Sequence, residues 1–64
     1  MVNDMPIVKI NWAQGRTVEQ KKKIAEGITE TIVEIANVSP EAVTILFVDM
    51  PRTNIAKSGK LLSD

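Results

Sequence analysis

Chemistry near neutral pH needs a group that can take up and release a proton, and this 64-residue chain contains no His, Cys or Tyr. The remaining group whose unperturbed pKa lies near that range is a free α-amine, at about 7.7–8.0. Pro6 stands directly behind Met5. If the polypeptide starts at Met5 and that methionine is removed, the α-amine becomes the secondary amine of proline, a base built on a backbone nitrogen. With Met1, Val2, Asn3 and Asp4 in front of it, the same nitrogen is an amide without basicity. Residues 1–5 are therefore read as an N-terminal extension or a mis-assigned start, and residues 6–64 as the working domain. Taken alone, Pro6 is also a suitable first residue for a strand, where its missing N–H is tolerated.

The elements that must carry such a group follow from the pattern behind it. Residues 7–12 alternate Ile7, Lys9 and Asn11 with Val8, Ile10 and Trp12, the period of a strand with one apolar face. Gln14, Gly15 and Arg16 make a turn. Thr17 and Gln20 then have the spacing of a capping box, in which each side chain satisfies a free backbone N–H of the other residue. A helix is expected from Val18 to Ala36 or Asn37. Its apolar stripe is Ile24, Ala25, Ile28, Ile32, Ile35 and Ala36. Gly27 costs this helix about 1 kcal/mol relative to alanine and is expected to mark a close packing contact.

Ser39 and Pro40 break the helix and open one short turn. Residues 43–49 are an almost uninterrupted apolar strand, a pattern expected where both sheet faces are covered. Strand, helix and strand in this length imply an α+β chain built on a right-handed βαβ crossover with parallel strands. Beyond Pro51 the sequence is too polar for a core element and is expected to form a hairpin or arm across a neighbouring subunit, anchored by Leu61 and Leu62. Trp12 is expected at a subunit interface, and Asn54 in a turn.

Size and charge narrow the function classes. A chain this short buries only about 60% of its unfolded surface and is marginal without a staple. Lacking cysteine for disulfides or metal ligation, it points to self-association. Eight basic and eight acidic residues give no net charge, so neither nucleic acid nor an anionic membrane is an expected partner. The run Lys21-Lys22-Lys23 reads as a solvated helix face with Glu19, Glu26 and Glu30 nearby. No apolar stretch approaches the roughly 20 residues of a membrane span. The absence of cysteine fits a cytoplasmic protein.

In sequence order, Met5-Pro6-Ile7-Val8, Gly15-Arg16-Thr17 with Glu19-Gln20-Lys21, the long helix, Asp49-Met50-Pro51 and the tail Lys57-Ser58-Gly59-Lys60-Leu61-Leu62-Ser63-Asp64 resemble the 4-oxalocrotonate tautomerase family. The likeness runs from Met5 to the end of the chain. It implies a βαβ subunit that pairs into a dimer with a four-stranded sheet, and dimers that assemble as a homohexamer. It further implies a cofactor-independent, metal-free isomerase in which Pro6 is the general base and Arg16 holds the carboxylate of a small enol or keto acid. Ala13 matches a place where the family supplies backbone N–H contacts.

Some positions depart from the family pattern. Thr44 stands where well-studied members carry a second arginine, and a hydroxyl stabilises developing enolate charge less well than a guanidinium. Arg52 is the available replacement. Ile55 takes the place of an aromatic residue that walls the pocket, while Lys57 and Ser58 replace an apolar residue and a glycine. These departures bear on which acid is accepted rather than on the fold. The alternative is a catalytically silent oligomer on the same scaffold, serving a binding or structural role.

Overall fold

A computed structural model describes residues 5–64, so Met1, Val2, Asn3 and Asp4 of the expected leader lie outside the described residues. The chain runs β1 (Ile7–Ala13), α1 (Val18–Ala36), a 3-10 turn (Pro40–Ala42), β2 (Thr44–Met50), a second 3-10 turn (Arg52–Asn54), β3 (Ala56–Lys57) and β4 (Lys60–Leu61). This is the expected βαβ unit followed by a C-terminal hairpin.

Local chemistry sets the boundaries. At the start of α1 the Thr17 hydroxyl accepts the Gln20 N–H at 3.1 Å, and the Gln20 side chain accepts the Thr17 N–H at 2.9 Å. The capping box is thus complete and satisfies two donors that the helix cannot pair internally. At the other end Asn37 turns left-handed (φ 58°), and its N–H still reaches the Val33 carbonyl at 3.1 Å. Val43 closes the first 3-10 turn by donating to the Pro40 carbonyl. The second strand consequently begins at Thr44, one residue later than its apolar run suggests.

β1 and β2 pair in parallel, from Ile7 opposite Thr44 to Ala13 opposite Met50. Backbone bonds extend the ladder at both ends, from Thr44 N–H to the Pro6 carbonyl (3.0 Å) and from Gln14 N–H to the Met50 carbonyl (2.9 Å). β3 and β4 form a separate antiparallel pair around Ser58 and Gly59, both with positive φ (55° and 78°). Two consecutive positive-φ residues are the conformation of a type I′ hairpin turn.

None of the described residues is buried in the single subunit. Burial alternates along β1, with Val8, Ile10 and Trp12 half-buried and Ile7, Lys9 and Asn11 exposed. In β2 both Thr44 and Leu46 are exposed. On that face only Val48 and Met50, towards the end of the strand, are half-buried, so the full cover on both faces expected of so apolar a run is not reached within one subunit. Gly27 likewise has no close neighbour within the subunit, since a Cβ built there meets nothing within 4 Å. It lines a shallow apolar groove along α1 with Ile24, Ile28, Thr31 and Ile32.

Candidate active site

Parallel pairing sorts the candidate residues to two ends of the sheet. Pro6 precedes β1 and stands beside Thr44, whose N–H its carbonyl accepts. A hollow lined by Met5, Ser39, Glu41 and Ala42 lies at this end. Ala13, Arg16 and Arg52 all lie at the opposite end, where the strands finish. The seven residues of β1, at about 3.3 Å each, put roughly 23 Å between Pro6 and that group. One subunit therefore brings Ala13, Arg16 and Arg52 to a common strand end but does not bring Pro6 to them.

The far end is held by hydrogen bonds and ring contacts. Arg52 donates from a guanidinium nitrogen to the Gln14 carbonyl at 2.9 Å, tying the loop after β2 to the turn after β1. Gly15 in that turn has φ +138°, a backbone region closed to residues with a Cβ, and it delivers the chain to Arg16 just before the helix cap. The Arg16 guanidinium lies 5.8 Å from the centroid of the Trp12 ring, within cation–π range. Ile55 is half-buried at the root of the hairpin, where its carbonyl accepts the Leu62 N–H at 2.9 Å.

Trp12 itself is engaged inside its own subunit. Its ring stacks on Phe47 with centroids 5.5 Å apart, and its indole N–H donates to one carboxylate oxygen of Asp49. The Lys21 ammonium, in the first turns of α1, takes the other Asp49 oxygen. Hydrogen bonds from Lys21 and then Trp12 hold the Asp49 carboxyl below its ordinary pKa. Sequence reasoning gave Asp49 no pairing and placed Lys21 on a solvated helix face, whereas Lys21 is turned onto Asp49 and is 26% exposed. The sequence offered only an acid at the end of an apolar strand, two residues beyond Phe47; the register that sets it opposite Trp12 comes from the fold. Among the described residues no cluster of potential metal ligands occurs, and no helix is long and apolar enough to cross a membrane.

Both the sequence and the fold are matched in known proteins. The tautomerase enzyme family matches residues 6–64. The 2-hydroxymuconate tautomerase of Bacillus subtilis is 37% identical over 60 residues, covering 94% of this chain and 97% of that protein. A probable tautomerase of Halalkalibacterium halodurans is 33% identical over the same share of this chain and 98% of its own. Among solved structures, YwhB, a homologue of 4-oxalocrotonate tautomerase, superposes with a TM-score of 0.85 at 36% identity, covering 92% of this chain and 97% of that one. A second 4-oxalocrotonate tautomerase homologue, TTHB242, reaches 0.90 at 27% identity over 94% and 95% of the two chains. The chain belongs to the tautomerase family and is an isomerase of the 4-oxalocrotonate tautomerase type.

Proposed function

We propose that the chain moves a proton within a small enol or keto carboxylic acid, with Pro6 as the general base once it is the amino-terminal residue and Arg16 holding the carboxylate. The observation that carries this reading is that the family match begins on Pro6 itself. The amine takes the enol hydroxyl proton while the C–O bond becomes a carbonyl, and the resulting ammonium returns a proton to carbon. The net change is an isomerisation, and no step calls for a cofactor. An apolar surround and a nearby guanidinium both disfavour the ammonium form and keep the amine competent as a base at neutral pH.

Because Pro6 and Arg16 sit at opposite ends of β1, the working site takes Pro6 from one subunit and Arg16 from another. Closed assembly of identical subunits supplies that juxtaposition. The assembly proposed is a cytoplasmic homohexamer, three dimers each with a four-stranded sheet. Arg52 contributes a second cation at the Arg16 end. Ala13 offers backbone contacts, and Ile55 supplies an aliphatic wall. The Thr44 residue beside Pro6 offers a single hydroxyl donor there, which favours acids whose enolate charge is met mainly from the arginine side.

The test compares two preparations whose first residue is fixed by intact mass, one starting at Pro6 and one retaining residues 1–5. Ketonisation of phenylenolpyruvate is expected from the first only. In the preparation starting at Pro6, Pro6→Ala is expected to lose at least about a hundredfold in rate. Equal rates for the unsubstituted chain and the Pro6→Ala variant would remove Pro6 as the base. Activity absent from both preparations favours the silent scaffold.

A further inference from the structure

We propose that Trp12 is a positioning residue for Arg16, its indole forming a platform that aims the guanidinium and that Asp49 and Lys21 lock in place. This rests on the reading that Arg16 holds the substrate carboxylate. The platform is pinned on two sides. Phe47 stacks against the ring face with planes 24° apart, and Asp49 accepts the ring N–H, so translation and rotation are both opposed. Arg16 lies against this fixed surface at 5.8 Å.

The pairing of Asp49 matters as much as the ring. An unpaired carboxylate hydrogen-bonded to Trp12 would compete for the guanidinium that Trp12 carries. Here one Asp49 oxygen is committed to the indole and the other to the Lys21 ammonium. Among the described residues Arg16 forms no ion pair, so the planar fork remains open to an incoming acid. An arginine side chain that is free in solvent gives up its rotamer entropy when it is fixed on a ligand. Holding it on a ring before substrate arrives moves that loss out of the binding step.

Trp12 is the only tryptophan, so its emission reports on its own neighbour. In protein beginning at Pro6, Trp12→Leu is expected to raise KM for phenylenolpyruvate about tenfold while kcat stays within about twofold, the split that loss of uniform binding produces. Trp12→Phe retains a ring face, loses the bond to Asp49, and is expected to raise KM about threefold, on the same reasoning. Titration of the wild type with adipate, an unreactive dicarboxylate, should change Trp12 emission saturably. Arg16→Ala should shift the resting emission and abolish the response.

If Trp12→Leu leaves KM within about twofold, or lowers kcat and thermal stability together without moving KM, the indole is only a packing residue. If emission is indifferent to Arg16→Ala while the unsubstituted protein turns over normally, the platform falls and Pro6 chemistry stands. If emission responds as expected but no preparation turns over an enol acid, the catalytic reading falls and the platform stands.

Discussion

At Asp49 a single carboxylate satisfies two donors from different elements, the indole of β1 and the first ammonium of the lysine run in α1. Its side chain remains 33% exposed, so water screens the pairing and its contribution is modest. The sign of its pH dependence is nevertheless fixed. Hydrogen bonds from Lys21 and Trp12 lower the folded pKa. A carboxyl lowered on folding adds stability above its unfolded pKa, near 3.9, and that stability disappears as pH falls through the lower folded value. Asp49→Asn is therefore expected to melt below the wild type at pH 7, with the gap closing as both are taken from about pH 4 towards pH 2.5. Thermal melts followed by circular dichroism measure this directly. A gap of constant size across that range would remove the ionised pairing as its cause.

Among the elements, the hairpin carries a visible local conflict. Ser58 adopts φ 55° in the turn between β3 and β4, where a Cβ costs roughly 1–2 kcal/mol relative to glycine. The two strands it joins are two residues each and exposed, so little packing offsets that cost. Ser58→Gly is expected to raise stability by about 0.5–1 kcal/mol, less than the full strain because glycine is freer in the unfolded chain. An unchanged or lowered melting temperature would show that the turn is shaped by something other than Ser58's own backbone. The elements themselves were largely legible in the sequence because their signals are local. Thr17 and Gln20 announced the helix start, and alternation through Ile10 and Trp12 announced a strand with one apolar face. A hairpin after Pro51 was expected, whereas its turn at Ser58 and Gly59 was not located, because that turn depends on both residues' dihedrals. The Trp12, Asp49 and Lys21 cluster was not legible, because it joins residues 28 and 37 positions apart that only the parallel register and the placement of the crossover helix bring together. Gly27 shows the opposite error of scale, since the close contact expected of it has no partner inside the subunit.

For the whole molecule, the deciding feature is apolar surface with no buried residue among those described. Ile35 is 82% exposed, Ile7 68% and Leu46 46%, and these lie on the helix and both strands of the βαβ unit. Fully burying an aliphatic side chain of this size is worth about 1.5–3 kcal/mol, so covering several of them in the proposed assembly would stabilise the scaffold from outside the subunit. In the site proposed above, the same packing also has to bring Pro6 to Arg16, because β1 holds the two apart by its own length. A shared site makes a quantitative claim about mixtures. Pro6→Ala and Arg16→Ala assemblies are each expected to be nearly inactive. When equal amounts are unfolded together and reassembled at random, about a quarter of the sites should join an intact Pro6 to an intact Arg16 and recover activity in that proportion. Sites built within one subunit could recover none, because no chain in the mixture carries both residues. A reassembled mixture that sediments as the wild-type oligomer yet stays as inactive as its parents would overturn the division of the site between subunits.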